Sequence, residues 1–273
     1  MNTLLLHPDT PGDIERAGAL LAAGQVVGIP TETVYGLGAN ALDGAAVKQI
    51  FAAKGRPSDN TLIVHIADFS QIFDLVAAVP DAARRLADAY WPGPLTIILP
   101  KAACIPDEVS AGLETVGIRL PSHPVARAVI RAAGVPIAAP SANTSGRPST
   151  TTAAHVMEDM SGKIAAVLDG GACQVGVEST VVSLAGEQPR LLRPGGISLE
   201  QLEAVLGPVA VDRAISQPIG DDVRVSAPGM KYRHYAPLAP VTAVCGDPAK
   251  GAAYIASHLT AQAGVICFDE FAG

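Results

Sequence analysis

The chain has 273 residues, of which 49% are apolar and 16% are charged, and its formal net charge is −7. This length suits one large domain, alone or with a smaller one, and the composition is sufficient for a buried core. The acidic balance argues against a protein that coats nucleic acid or anionic membrane, because such binding needs an excess of Lys and Arg.

Targeting and cysteine signals are absent from the sequence. No uninterrupted apolar run approaches the roughly 20 residues that cross a bilayer, and residues 1–7 lack the basic start and apolar core of a signal peptide. We therefore expect a soluble, cytoplasmic protein with no membrane partner. The four cysteines lie far apart without a C-x-x-C pair, so neither a zinc site nor a disulfide framework is expected.

Helices and strands alternate in the first part of the chain. Thr10 is expected to cap a helix that has Pro11 at its first position and ends at Gly24. Apolar runs and helical periodicity then predict five elements. They are strands at residues 26–30, 62–66 and 95–99, and helices at residues 44–53 and 69–90. A turn with the sequence WPGP, at residues 91–94, precedes the last of these strands.

The second part of the chain adds strands and one clearly capped helix. Strands are expected at residues 117–120, 136–139, 165–168, 179–183 and 190–193. Ser198 and Gln201 form a capping box that opens a helix ending at Gly207. Some strands follow one another directly and others are separated by helices. We therefore predict an α/β fold with a twisted, mixed sheet and flanking helices.

The composition divides the chain into three regions. Residues 1–208 form the main domain, and residues 209–240 predict a linker because they are rich in Pro and Gly. Residues 241–273 predict one short Rossmann-like βαβ unit, with strands at 241–245 and 265–268 around a helix at 248–262. A unit this short rarely folds alone, so we expect it to pack against the main domain or to be part of a longer domain.

Four polar clusters stand out, whereas the P-loop and the dinucleotide fingerprint are absent from the sequence. Most of the clusters follow predicted strands, where open α/β sheets build their sites. They lie at residues 30–38, 54–60 and 138–146, and in a fourth group that joins residues 117–119, 178–180 and 191–195. Taken alone, the first and third clusters are equally compatible with ordinary polar turns.

The cations in these clusters suggest anion binding. Lys54 and Arg56 flank a glycine and could grip a polyphosphate from both sides, although a solvated helix C-terminus also favours cations. Arg119 lies between two aliphatic residues on a predicted strand, and a buried charge needs an anionic partner. That partner could be a substrate carboxylate or phosphate, or a structural Asp or Glu. His65, also between aliphatic residues, is interpreted from the residues alone as a core histidine.

Seven motifs, in this order, closely resemble the YrdC-like family of threonylcarbamoyl-AMP synthases over residues 10–207. The motifs are PTETVYGLG at residues 30–38, KGRPS at 54–58, WPGPLT at 91–96, GIRLP at 117–121, APSAN at 139–143, ESTVV at 178–182 and LRPG at 192–195. Several motifs in the right order are far more specific than any one of them. Residues 227–237, APGMKYRHYAP, are similar to the linker of the two-domain form of this family.

The resemblance implies an L-threonylcarbamoyladenylate synthase, a nucleotidyltransferase. Such an enzyme makes threonylcarbamoyl-AMP and pyrophosphate from L-threonine, bicarbonate and ATP with Mg²⁺, and no metal site of the protein itself is expected. The product serves the threonylcarbamoylation of adenosine in ANN-decoding tRNAs. The implied partners are therefore the downstream tRNA threonylcarbamoyl transferase proteins, and a weak direct contact with tRNA is left open.

The resemblance also implies roles for individual residues by motif position. Those implied for L-threonine are Thr33, Tyr35, His65, Arg119, the Ala139 backbone and Ser179. Those implied for ATP are Lys54, Arg56, Asn60, Thr115, Ser141, Asn143, Ser149 and Arg193, with Lys54 and Arg56 as catalytic residues. For His65 this reverses the interpretation made from the residues alone. In the linker, Lys231, Tyr232 and Tyr235 are expected to form a lid that closes over ATP and excludes water.

Two other functions fit parts of the sequence. A concave basic sheet would suit a non-catalytic module that holds double-stranded RNA by shape, although the acidic balance opposes it. The same fold also occurs as a carbamoyl-phosphate-using transferase domain in hydrogenase-maturation proteins. Those proteins are much longer chains with zinc-finger-like cysteine pairs, which this sequence lacks.

Overall fold

The structure is a computed structural model that describes residues 2–55, 60–215 and 240–267. The chain divides into two compact units, Met1–Ala236 and Pro237–Gly273. Four predicted site residues lie outside the described residues. They are Arg56, Lys231, Tyr232 and Tyr235.

The first unit is built on one mixed sheet. Its strands in the described residues are β1 Leu4–Leu6, β2 Val27–Ile29, β3 Gly36–Asn40, β4 Ile63–His65, β5 Leu95–Pro100, β6 Thr115–Arg119, β7 Ile137–Ala138, β8 Ala166–Leu168, β9 Thr180–Ser183, β10 Arg190–Arg193 and β11 Ala210–Val211. Their order in the sheet is β1-β8-β2-β3-β7-β4-β6-β5-β9-β10-β11. All the strands predicted in the main domain are present, and the mixed α/β sheet is confirmed.

Helices flank this sheet. They are α1 Asp13–Ala22, α2 Gly44–Lys54, α3 Ile72–Leu75, α4 Asp81–Tyr90, α5 Asp107–Ser110, α6 Pro124–Ala133, α7 Ala153–Met160 and α8 Leu199–Leu206, and α9 Pro248–His258 belongs to the second unit. Single 3-10 turns occur at Phe69–Gln71 and Arg213–Ile215. The predicted helices at residues 44–53 and after Ser198 are confirmed, including the capping box of Ser198 and Gln201.

Buried aliphatic side chains hold the helices on the sheet. Leu21 of α1 and Ile130 of α6 pack in one apolar cluster with Ile29 of β2, while a larger cluster joins residues of α2, α4, α7 and α8 to the central strands. Each such fully buried side chain contributes about 1.5–3 kcal/mol. The helices α1 and α6 approach closely because residue 18 is glycine: a Cβ there would lie 2.7 Å from the carbonyl carbon of Ala132.

Two predicted helices differ from the structure. The first begins at Asp13 rather than at Pro11, because Gly12 precedes it in the left-handed conformation with φ of 87°. The Thr10 carbonyl accepts a turn hydrogen bond from the Asp13 N–H. The Thr10 side chain does not cap the helix. The helix predicted over residues 69–90 is interrupted between α3 and α4. Pro80 explains the break, because proline has no N–H to donate and disfavours helical backbone in the residue before it.

The predicted linker and C-terminal piece also need correction. Residues 210–211 form β11, which pairs with β10, so this part of the predicted linker belongs to the sheet. In the second unit the predicted helix is present as α9, and Asp247 caps it by accepting from the Lys250 N–H over 3.0 Å. The predicted strands at 241–245 and 265–268 are wrong for residues 240–267, which contain no strand. A strand requires a hydrogen-bonded neighbour, and these described residues supply none.

None of the helices in the described parts of the chain is both long enough and apolar enough to cross a membrane.

Candidate functional site

The strands β4 and β6 are parallel neighbours at the centre of the sheet, and they place predicted site residues at both ends. His65 and Arg119 are paired at the carboxyl ends of the two strands. Thr115 begins β6, and Asn60 lies three residues before β4, so both lie towards the amino ends. Thr115 and Arg119 are four residues apart, or about 13 Å along an extended strand. Because side chains alternate along a strand, Thr115 and Arg119 share one face.

Arg119 is buried, with 4% of its surface exposed, and its partner is Glu32. It donates from Nη2 to Glu32 Oε1 over 2.7 Å and from Nε to the Gly93 carbonyl over 3.4 Å. Burial raises the pKa of Glu32, but the charge and hydrogen bond of Arg119 and the Ser122 N–H outweigh burial and hold that pKa below its usual range. The sequence left open whether the anionic partner of Arg119 is a substrate or a structural acid, and the structure contains a structural acid, Glu32.

His65 is a buried neutral imidazole beside this ion pair. Burial, reinforced by the positive charge of Arg119, lowers the pKa of His65 to about 3. Its Nδ1 lies 3.2 Å from the Ile63 carbonyl oxygen. The ring is therefore uncharged near neutral pH, and it is both buried, as a core histidine would be, and adjacent to Arg119.

Ser179 is held between β5 and the end of β10. Its hydroxyl lies 2.8 Å from that of Thr96, and Arg193 donates from Nη2 to the same hydroxyl over 3.1 Å. Arg193 also donates from Nε and Nη2 to the Ser179 carbonyl, at 3.1 and 3.0 Å. Gly195 allows this contact, because a Cβ there would lie 2.4 Å from the Glu178 oxygen and the Thr180 nitrogen.

The loop after β2 carries Thr33 and Tyr35, and both side chains are fully buried. The hydroxyl of Thr33 lies 2.9 Å from that of Thr31. The phenol of Tyr35 donates to the Gly171 carbonyl over 2.8 Å and accepts from the Gly170 N–H over 3.2 Å, and burial raises the pKa of this phenol. Tyr35 therefore ties this loop to the loop that follows β8.

Lys54 connects two of the predicted ATP-binding segments. Its amine is buried at the end of α2, and it donates to the backbone carbonyls of Ser141 and Asn143. The segment that follows β7 is fixed further by the Asn143 amide, which donates to the carbonyls of Thr144 and Arg147 over 3.0 and 2.8 Å. Lys54 thus stabilises this loop through backbone contacts.

Several buried polar atoms near these residues have no hydrogen-bond partner within the described parts of the chain. They are Nδ2 and Oδ1 of Asn60, Oδ1 of Asn143, and the hydroxyls of Thr61 and Thr150. A buried polar group without a partner costs about 1–3 kcal/mol, so such atoms suit contacts with a bound polar ligand. The sequence did not single out Thr61 or Thr150, although they adjoin the predicted residues Asn60 and Ser149.

His65 and Arg119 lie at the carboxyl ends of β4 and β6, and Ser179, with Arg193 bonded to it, lies just before β9 at the same edge of the sheet. Towards the amino ends lie Asn60, Thr115, Ser141 and Asn143. Two predicted residues do not follow this division between the strand ends. Ala139, assigned to L-threonine, lies beside Ile63 at the amino end of β4, whereas Ser149, assigned to ATP, lies beside Glu178, which adjoins Ser179. The Ala139 N–H donates to the Ile63 carbonyl over 2.9 Å, and Ser149 donates to the carboxylate of Glu178. Glu32, Thr96 and Glu178 belong to this site but were not predicted individually.

Comparison with known proteins gives consistent matches over most of the chain. The family Sua5_yciO_yrdC, described as "Telomere recombination", matches residues 19–195, and the family described as "Threonylcarbamoyl-AMP synthase, C-terminal domain" matches residues 197–273. The threonylcarbamoyl-AMP synthase of Bacillus subtilis is 53% identical over 266 residues, which cover 95% of this chain and 75% of that protein. That of Pyrococcus abyssi is 52% identical over 233 residues, covering 85% of this chain and 68% of that protein.

A solved structure agrees with these matches. The crystal structure of P. abyssi Sua5 complexed with L-threonine has a TM-score of 0.88 and 48% identity, and the alignment covers 93% of this chain and 75% of that chain. Together with the motifs and the sheet described above, these similarities establish that the chain belongs to the Sua5/YciO/YrdC family, to which threonylcarbamoyl-AMP synthases belong.

Proposed function

We propose that this protein is a threonylcarbamoyl-AMP synthase, an enzyme that forms threonylcarbamoyl-AMP and pyrophosphate from L-threonine, bicarbonate and ATP. High identity to enzymes of that name supports the activity. The observation that carries the residue assignment is the shared face of β6, where Thr115 and Arg119 lie at opposite ends. Their separation of about 13 Å along the strand suits a nucleotide and an amino acid bound end to end.

Arg119 marks the amino-acid end of this site. Its planar guanidinium is suited to a substrate carboxylate. Ser179 and Thr33 add buried hydroxyls, and the neutral ring of His65 adds a polar group without a charge. The P. abyssi relative has been crystallised with L-threonine, which supports the same amino acid here.

The nucleotide end lies towards the amino ends of β4 and β6. Both polar atoms of the Asn60 amide and the Oδ1 of Asn143 are buried without a partner in the described parts of the chain. Ser141 lies on the same loop as Asn143, and Ser149, whose hydroxyl donates to Glu178, is assigned to ATP as well. Lys54 holds the loop of Ser141 and Asn143 in place. Arg56 and the lid residues Lys231, Tyr232 and Tyr235 remain part of this proposal without a structural description.

The reaction needs orientation and charge neutralisation more than a protein nucleophile. The threonine amine and bicarbonate give N-carboxythreonine with loss of water, and one proton is released when the amine starts as an ammonium. The new carboxylate then attacks the α-phosphate of ATP and expels pyrophosphate. Phosphoryl transfer of this kind is catalysed mainly by positioning and electrostatic stabilisation. Arg119 would hold the amino acid, while the residues of the nucleotide end would hold ATP in line.

We propose that Mg²⁺ accompanies ATP. The described residues contain no cluster of three His, Cys, Asp or Glu side chains placed to hold a metal, and Mg²⁺ commonly needs only one or two carboxylates besides phosphates and water. The half-buried carboxylate of Glu178, bonded to the hydroxyl of Ser149, offers oxygen ligands of the right chemistry. When bound, the ion would neutralise charge on the phosphates.

The product would serve the threonylcarbamoylation of ANN-decoding tRNAs by downstream transferase proteins. We propose that this occurs in the cytoplasm and involves at most a weak direct contact between this protein and tRNA. These points rest on the role of the family.

Pyrophosphate release tests the proposed activity directly. The protein is incubated with ATP and Mg²⁺, while L-threonine and bicarbonate are each supplied or withheld. Release that requires both substrates, with threonylcarbamoyl-AMP identified by mass spectrometry, is the expected result. Release that depends on neither, in protein shown to be folded, would contradict the proposal. Salt-sensitive tRNA binding without ATP consumption would instead favour an RNA-binding module.

A further inference from the structure

The buried ion pair of Glu32 and Arg119 joins two distant parts of the chain, which are 87 residues apart in sequence. Both side chains are at most 5% exposed. Glu32 uses both carboxylate oxygens: Oε1 accepts from Arg119 Nη2 over 2.7 Å, and Oε2 accepts from the Ser122 N–H over 3.2 Å. Ser122 precedes α6, so Glu32 fixes both the guanidinium and the turn that follows β6.

We propose that Glu32 is the positioning residue of the amino-acid site: it holds the guanidinium of Arg119 in the orientation that receives the substrate carboxylate. This inference rests on the proposed function, because it takes the ligand of Arg119 to be an amino acid. Glu32 acts through Arg119 and is given no contact with the substrate.

The hydrogen bonds explain why a carboxylate is needed at position 32. Arg119 Nη2 and the Ser122 N–H are both donors, and a carboxylate accepts from both. A glutamine side chain has one oxygen and one NH₂ group, so one of the two donors would face another donor. Glu32→Gln therefore preserves the size of the side chain but removes one of the two acceptors and the negative charge that pairs with Arg119.

A purely electrostatic role of Glu32 is the alternative to a positioning role, and the groups around the ion pair make the two distinguishable. His65, His123 and Cys173 also face Glu32 or Arg119, from β4, from the turn before α6 and from the loop after β8. Burial lowers the pKa of both histidines and raises that of Cys173 to about 11, so these groups are largely uncharged near neutral pH. If Glu32 only weakened the positive field of Arg119, its removal would tighten the binding of a carboxylate. A positioning role predicts weaker binding.

Calorimetric titration of the full chain with L-threonine and, separately, with MgATP distinguishes these roles. For Glu32→Gln we expect the Kd for L-threonine to rise about tenfold or more, since a lost hydrogen bond between charged groups is worth that much, while the Kd for MgATP stays within about twofold. In pyrophosphate release, the KM for L-threonine should likewise rise relative to the KM for ATP. Glu32→Asp keeps both acceptor oxygens but is one methylene shorter and holds Arg119 less well. Its Kd for L-threonine should therefore lie between those of the wild type and Glu32→Gln.

Glu108→Gln is the matched control, because Glu108 forms an ion pair with Lys48 over 2.9 Å and has no assigned role in the site. Its affinities should equal those of the wild type. Unchanged or tighter L-threonine binding by Glu32→Gln, or a parallel loss of both affinities, overturns the inference. If Glu32→Gln does not fold, Glu32→Asp decides: selectively weaker L-threonine binding supports the inference, and unchanged binding overturns it. Wild-type protein that does not bind L-threonine overturns the proposed function as well.

Discussion

The side-chain amine of Lys54 donates to the backbone carbonyl of Asn143 over 2.7 Å, and this contact ties the end of α2 to the loop that follows β7. The same amine donates to the carbonyl of Ser141. Lys54 therefore organises the loop that carries two predicted ATP-binding residues, in addition to any contact with the nucleotide itself.

Replacing Lys54 by methionine should reduce both stability and ATP binding. Two buried carbonyls would lose a charged donor, so we expect the free energy of unfolding to fall by roughly 2–4 kcal/mol and the KM for ATP to rise. Urea denaturation and pyrophosphate-release kinetics measure the two effects. Lys48→Met, at a largely exposed position of the same helix, should change stability by less than about 0.5 kcal/mol. A Lys54→Met protein as stable as the wild type would contradict this role.

A second prediction concerns the close contact at Gly195. Substitution by alanine would place a Cβ 2.4 Å from backbone atoms of Glu178 and Thr180, which cannot move aside as a flexible side chain can. We expect a loss of about 1–3 kcal/mol, as for other overpacked sites, together with weaker substrate binding because Arg193 would shift from Ser179. Thermal unfolding and kinetics measure these changes. Gly186→Ala is the control, since its nearest neighbouring atom lies 4.0 Å away.

Local sequence patterns predicted the strands well but not all of the elements. Short apolar runs mark β4 and β5 clearly, whereas β3 contains glycines that give no strand signal. Gly38 is required there by packing, because a Cβ would lie 2.9 Å from Ile137 of the neighbouring strand. The helix α6 was missed although Pro124 starts it and Gly134 ends it with φ of 68°.

The site was predicted in part for a similar reason. Motifs indicated Arg119, Ser179 and Asn60, but no local pattern pairs Glu32 with Arg119, since the contact depends on how the loop after β2 reaches the end of β6. The same applies to the hydroxyl of Thr96 beside Ser179. Contacts between residues so far apart in sequence become visible only when the sheet order is known.

Asn60 offers a test that separates binding from stability. Both polar atoms of its buried side chain have no partner within the described residues, so replacing it by leucine removes no hydrogen bond seen in that part of the chain. We expect Asn60→Leu to be as stable as the wild type or more stable, because an unsatisfied buried amide is replaced by an apolar group of similar size. The KM for ATP should nevertheless rise about tenfold, reflecting a lost contact with the ligand. An unchanged KM would remove Asn60 from the nucleotide site.

The pH dependence of stability should report the burial of His65. Its pKa is about 3 in the folded protein and 6.5 in the unfolded reference, so between these values the unfolded state binds a proton that the folded state does not. Stability is therefore lost as the pH falls from 6.5 towards 3, by up to about 1.4 kcal/mol per pH unit from this residue. His65→Gln should show a shallower decline in urea denaturation between about pH 6.5 and 4.5. The exposed His155→Gln serves as the control, and equal slopes for His65→Gln and the wild type would show that His65 is not buried in its neutral form.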